Sequence, residues 1–237
     1  MLCSLCITIT TTIPNMKLSQ KTLTILKNFA SIKPTLMIKE GKSINTLSTS
    51  ENILAEAQIE EYIPRDVAIY ELGKFLSSLD LYSDPDIDFT SDRYMTISEG
   101  PNKLKYFYAD PKLVPYNELT VVLPDEYIKF TLNPKVLDKL VKASYVCKLP
   151  DVSVVGKDGQ VKILVRNKKD TNTSNEYCVI LGETDLDFAA NFKVEHLGRL
   201  LSSSYEVKLS KYTISEFTSS EYNIRYAISL EPDSYFN

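Results

Sequence analysis

A chain of 237 residues is long for one compact domain and comfortable for two of about a hundred residues each. Its 43 % hydrophobic and 24 % charged side chains are the balance of an ordinary globular protein, with a net charge of −4. No apolar run approaches the ~20 residues needed to span a bilayer, so no membrane partner is expected. Fifteen Tyr against seven Gly point to long regular strands with few flexible loops.

Residues 1–15 carry no charge, and Thr8, Thr10, Thr11 and Thr12 are unusual company for a secretory core. The basic start and small-residue cleavage site of a signal peptide are missing. The segment reads as a dispensable appendage, with a start codon placed too early as its origin, and ordinary periodic sequence opens at Met16. Ser19 is placed to cap a helix running to about Ala30, followed by strands near 35–40, 43–48 and 53–59. A strand at 65–70 leads into a helix at 71–81, then strands near 86–90, 93–98 and 103–108. From Asp110-Pro111 to Leu123-Pro124 the chain holds three Pro and little helical period, so it reads as an extended connector. That sets domain limits of 16–118 and 119–237. In the second half a strand at 127–132 precedes Asn133, a good N-cap with Pro134 at the first helical position, and a helix to 145. Strands follow near 152–156, 160–166, 176–182 and 187–191, then a helix at 193–203 and strands near 205–209, 211–217 and 223–230.

The two halves repeat each other. Leu72-Gly73-Lys74-Phe75-Leu76-Ser77-Ser78 recurs as Leu197-Gly198-Arg199-Leu200-Leu201-Ser202-Ser203, each behind a short strand opening with Asp (Asp66, Asp187). Lys39-Glu40-Gly41 and Lys157-Asp158-Gly159 read as matching hairpin turns. Strand, helix, three strands is expected four times. The fold class is α+β: two similar domains of two such units each, with helices on one face of antiparallel sheets.

No catalytic signature is present: no G-x-G-x-x-G, no Walker-type loop, no G-x-S-x-G, and a single His. Gly156 to Gly159 has the wrong spacing for a phosphate loop and suits a hairpin. Asp84, Asp86 and Asp88 around Pro85 are explained by a turn entering a strand. His196 is expected on the surface of a helix beside Lys193 and Arg199. Cys3 and Cys6 form a lone C-x-x-C without further ligands, and Cys147 and Cys178 read as buried free thiols. Neither an enzyme, a metal site nor a cofactor is expected.

The positive charge is distributed unevenly. On a helical wheel Lys135, Lys139 and Lys142 share one narrow stripe, opposite Val136, Leu137, Leu140 and Val141. In the first helix Lys21, Thr24 and Asn28 share a polar stripe opposite Thr22, Ile25, Leu26 and Phe29. The four expected helices hold eight Lys or Arg against four Asp or Glu, a net +4; the remaining 19 basic and 27 acidic residues give −8. Lys157, Lys168 and Lys169 fall on expected hairpins instead. A basic helical face without a recognition motif suits contact with phosphates and not with base edges.

Met16-Lys17-Leu18-Ser19, Leu26-Lys27-Asn28-Phe29-Ala30, Asp66-Val67-Ala68-Ile69-Tyr70, Ala109-Asp110-Pro111 and Leu230-Glu231-Pro232-Asp233-Ser234 stand in an order that resembles a known family. It is that of the sliding clamps of large tailed bacteriophages, relatives of proliferating cell nuclear antigen, and the resemblance covers residues 16–237. It implies a homotrimeric ring with its helices lining a hole for duplex DNA, acting in the host cytoplasm as a polymerase processivity factor. The residues facing DNA would be Lys17, Lys21, Lys27, Lys74, Lys135, Lys139, Lys142, Lys193 and Arg199. Implied partners are double-stranded DNA bound without sequence preference, the replicative polymerase, the clamp loader and late-transcription factors, met by peptides near Val114, Leu230 and Pro232. Two other readings stay open on the residues alone: a structural adaptor of repeated α+β domains, and a metal-dependent nuclease using Asp86 or Asp88.

Overall fold

The computed structural model describes residues 15–170 and 174–237, so the expected appendage lies, apart from Asn15, outside the described residues. In the first half, α1 (Gln20–Ile32) precedes β1 (Leu36–Ile38), β2 (Gly41–Leu47) and β3 (Ile53–Ile63). Next, β4 (Val67–Ile69) leads into α2 (Leu72–Leu79), β5 (Asp86–Asp88), β6 (Tyr94–Glu99) and β7 (Asn102–Phe107). A short 3-10 turn at Pro111–Leu113 opens the connector. The second half repeats the order: β8 (Ile128–Leu132), α3 (Pro134–Cys147), β9 (Asp151–Lys157), β10 (Gln160–Arg166) and β11 (Tyr177–Glu183). Then come β12 (Phe188–Lys193), α4 (Val194–Leu197), β13 (Tyr205–Ser210), β14 (Ile214–Ser219), β15 (Ile224–Ser229) and a terminal β16 (Tyr235–Phe236). The expected unit does occur four times, its first strand reduced to a bridge between Met16 and Ile87.

Among the described residues the strands form four antiparallel sheets, in the orders β1-β4, β5-β6-β7, β11-β10-β9-β12-β16 and β2-β3-β15-β14-β13-β8. The six-stranded sheet crosses from one half to the other where β3 pairs with β15, in the register Glu56 to Arg225 and Ala55 to Tyr226. One apolar core runs through both halves, from Ile25 and Phe29 on α1 to Tyr205 and Tyr226, all fully buried.

Several local expectations change. Lys39-Glu40-Gly41 is not a hairpin, because β1 pairs with β4 while β2 pairs with β3. The chain changes sheets there: Gly41 takes φ +127°, and Asp66 binds both Lys39 Nζ at 2.7 Å and the Glu40 amide at 3.0 Å. Lys157-Asp158-Gly159 is a hairpin, its two central residues at φ +54° and +78°, as a two-residue turn of matching twist requires. The helix expected at 193–203 spans only Val194–Leu197. Side chains take over the carbonyls that would continue it: Asn28 donates to Arg199 O at 2.6 Å and Tyr205 to Leu201 O at 2.8 Å. Cys147 is half-buried and Cys178 exposed, because Cys178 points outward from an edge strand.

Close packing around Gly156 on β9 gives one sharp expectation. A Cβ there would lie 2.2 Å from Phe188 Cε1 and 2.7 Å from the backbone oxygen of Leu186. Phe188 in turn stacks on Phe236 at 5.9 Å and meets Tyr127 edge-on at 6.1 Å, so it has no free direction of retreat. Gly156→Ala will destabilise the fold by about 2–3 kcal/mol, the cost of overpacking a tight core. Denaturant unfolding should show a lower midpoint at unchanged slope; a midpoint equal to wild type would show that the ring can shift after all.

Candidate nucleic-acid interface

The helices present cations because their caps and apolar faces fix their rotation. In α3 the Asn133 side chain accepts from the Lys135 amide at 2.9 Å, and Leu137, Leu140 and Ser144 are buried. Lys135, Lys139 and Lys142 are therefore left exposed, with no ion-pair partner within 4 Å among the described residues. In α1 the Ser19 hydroxyl accepts from the Thr22 amide, and Thr22, Ile25, Leu26 and Phe29 are buried, leaving Lys21 half-buried and Lys27 exposed. Lys27 lies 3.7 Å from Asp80, Lys74 lies 2.7 Å from Glu71, and Lys17 is bonded to Asp84. These pairs are solvent-exposed and screened by salt, so they leave the cations available to another anion. α1 packs on α2, α3 packs on α4, and Asn28 ties α1 to the turn after α4 that carries exposed Arg199. The helical segments thus form one continuous group.

Two expected members of the polar face are structural instead. Asn28 is buried: beyond its bond to Arg199, its Oδ1 accepts from Tyr226 at 2.8 Å, joining the two domains. Lys193 stands at the end of β12 and not within a helix, 2.8 Å from the buried carboxylate of Asp151 and 3.5 Å from Glu231. The hydrogen bond that Lys193 donates to Asp151 raises the Lys193 pKa, holding it charged and engaged. Lys168, expected on an exposed hairpin, belongs to the same network, 2.7 Å from Asp233 and 3.8 Å from Glu231. The network fastens the C-terminal segment to β12 through Asn191, whose amide donates to Asp233. Sequence spacing could not reveal this, since Asp151, Lys193 and Asp233 meet only in the fold.

His196 is also buried and not solvated; its Nε2 lies 2.7 Å from Asn52 of the first domain. Of the three residues expected near a partner peptide, Val114 is buried against Met37 and Ala68, and Leu230 lies in the main core. Only Pro232 is exposed. The connector leaves other apolar side chains in water: Leu113, Leu119 and Val122. Among the described residues no cluster of three or more His, Cys, Asp or Glu could hold a metal, and no helix is long and apolar enough to cross a membrane.

Comparison with known proteins agrees with this architecture. A family profile described as DNA polymerase processivity factor matches residues 17–114. The sliding clamp of Vibrio phage KVP40 is 31 % identical over 208 residues, covering 85 % of this chain and 94 % of the relative. That of Enterobacteria phage T4 is 30 % identical, covering 92 % of this chain and 98 % of the relative. Among solved structures, proliferating cellular nuclear antigen from Entamoeba histolytica superposes with a TM-score of 0.68 at 14 % identity, over 92 % of this chain and 98 % of that one. The A. fulgidus PCNA bound to the C-terminal region of FEN-1 gives 0.68 at 11 % identity, over 93 % and 99 %. With a repeated α+β fold, exposed Lys on its helices and two phage relatives matched almost end to end, the chain belongs to the sliding clamps, DNA polymerase processivity factors and not enzymes.

Proposed function

We propose that three copies close into a ring around duplex DNA, helices inward, and so tether the replicative polymerase. The observation that carries this reading is a pair of open sheet edges. Inside the chain the last strand after α4, β15, pairs with the third strand after α1, β3. Their counterparts in the repeat are β7, last after α2, and β11, third after α3; each is an edge strand with no further partner among the described residues. Exposed edges of this kind invite pairing with another chain. Pairing β7 of one copy with β11 of the next would reproduce the internal junction between subunits, a head-to-tail contact that closes a ring. Charges suit it: Lys103 and Lys105 are exposed on β7, while exposed Glu176 precedes β11 and exposed Glu183 ends it. Tyr145 and Val146 at the end of α3, exposed in the single chain, would be covered there too.

In this reading the DNA-facing set is Lys17, Lys21, Lys27, Lys74, Lys135, Lys139, Lys142 and Arg199, with Lys193 removed because Asp151 and Glu231 engage it. Topology retains the DNA, so the attraction can stay weak and allow movement. The domain boundary falls near residue 118, in the stretch between Leu113 and Ile128 that holds no regular element. The exposed connector residues Leu113, Leu119 and Val122, with Pro232, form the seat for polymerase, clamp loader and late-transcription factors in the host cytoplasm. Light scattering after gel filtration tests the ring: about three times the 26.9 kDa subunit is expected at micromolar concentration. A stable single subunit there would defeat the reading.

A further inference from the structure

The loop 48–53 of the first domain meets α4 of the second at a polar contact made by Ser48, Ser50, Asn52 and His196. Ser48 Oγ accepts from two backbone amides, Asn52 at 3.2 Å and Ile53 at 3.0 Å. Both lone pairs are thereby used, so its hydroxyl can only donate, and it lies 2.9 Å from the Asn52 side-chain oxygen. The same Oδ1 receives Ser50 Oγ at 2.8 Å. That orientation turns the Asn52 NH2 toward His196, 2.7 Å from Nε2. An amide NH2 only donates, so in this arrangement Nε2 accepts and the neutral imidazole carries its proton on Nδ1, which is buried without a hydrogen-bond partner among the described residues.

We propose that His196, in this neutral Nδ1–H form, is a positioning residue that pins loop 48–53 to α4 beside the junction of β3 and β15, and that its protonation releases this contact and loosens the ring. The last step rests on the ring reading above. Protonation would set an N–H of the imidazolium against an N–H of Asn52, turning the contact from attractive to repulsive. Burial pushes the His196 pKa below its ordinary value; Glu195 and Glu231 act to raise it and Lys193 to lower it. Glu195 is the nearest carboxylate, 3.9 Å from Nε2, and Arg199 lines the same interdomain cleft with Ile32, Ser48, Thr49 and Ser50. Glu51 is exposed on the loop itself. The sign follows: a group whose folded pKa lies below its unfolded one contributes full stability above the unfolded value. That stability is lost as pH falls from there through the lowered folded value.

The sequence holds a single His, so one imidazole signal reports the contact directly. Nitrogen-resolved NMR should show the Nδ1–H tautomer near neutrality and a titration midpoint below the ordinary 6.5. Asn52→Asp keeps an acceptor for Ser48 and Ser50 and offers the ring a carboxylate oxygen; it should move the midpoint above that of wild type by about one unit or more. An Nε2–H tautomer, or a wild-type midpoint at or above 6.5, would overturn the proposal. Solution mass is then compared for wild type and His196→Gln, whose carbonyl offers Asn52 an acceptor that does not titrate, at about pH 7.5 and about one unit below the wild-type midpoint read by NMR. Wild type should fall from ring to subunits on acidification while His196→Gln stays a ring. An equal response of both proteins overturns the role of this contact in the ring. A single-subunit mass for wild type at the higher pH counts against the ring reading and against its loosening, while the NMR outcome still decides the contact.

Discussion

In the proposed ring, Ile180→Arg will break the assembly into subunits that remain fully folded. Ile180 is 60 % exposed on edge strand β11, so replacing it removes little from the core, and subunit stability should change by no more than about 0.5 kcal/mol. Within the chain the outer row of the equivalent strand β3 carries Glu56, which bonds Arg225 of β15 at 2.6 Å. By the same alternation, exposed Lys103 and Lys105 lie in the outer row of β7, and exposed Cys178 and Ile180 in that of β11. An Arg at 180 would therefore meet a neighbour's Lys across the junction, and like charges juxtaposed in an interface cost several kcal/mol. Roughly 2–3 kcal/mol per junction corresponds to about a hundredfold in its dissociation constant. Ile180→Glu makes the opposite test, since it rebuilds the Glu56–Arg225 arrangement between subunits, and its ring should survive or tighten. Gel filtration with light scattering separates the two. If both variants keep the wild-type mass, β11 is not the closing edge.

What could be read in the sequence follows the range of the interactions involved. Local signals were sufficient for α1, α3 and the 157–160 hairpin, because Ser19, Asn133-Pro134 and Asp158-Gly159 act within three or four residues of themselves. The fourfold unit was legible because α2 and the α4 region keep nearly the same seven-residue string. The early end of α4 was not, because it is imposed by Asn28, more than 160 residues away, and by Tyr205. His196 looked like a surface residue for the same reason: its partner Asn52 belongs to the other domain. Cys178 could have been placed from its neighbours. Tyr177, Val179 and Leu181 alternate with Cys178 and Ile180, and period two sends the first set to the core and the second outward. Lys135, Lys139 and Lys142 were legible as one exposed stripe because a single helix fixes their rotation. Lys193 was misplaced because its helix begins one residue later and its carboxylate partners lie on other segments.

Replacing Lys135, Lys139 and Lys142 together by Gln should weaken DNA retention without disturbing the subunit. All three are exposed on α3, opposite Leu137 and Leu140, and Gln keeps length and nearly the same helix propensity, so melting temperature and assembly should match wild type. The change removes three positive charges per subunit. If the stripe faces phosphates, loading onto primed DNA at physiological salt should fall roughly tenfold, and the salt slope of retention should shrink by about one to three. The control must use cations that are exposed and elsewhere, which rules out Lys168, since its side chain is 13 % exposed and its ammonium holds Asp233. Lys42, Lys157 and Lys169 meet that requirement, standing on the two strand-and-turn regions away from the helices. Changing them to Gln removes the same charge from the whole ring, so a loss caused by net charge alone would affect both triple variants equally. A loss confined to the α3 variant, steeper as salt rises, places the helices against DNA. Equal behaviour of the two variants in loading and processivity would move the DNA-facing surface off α3, whatever the mass of the assembly.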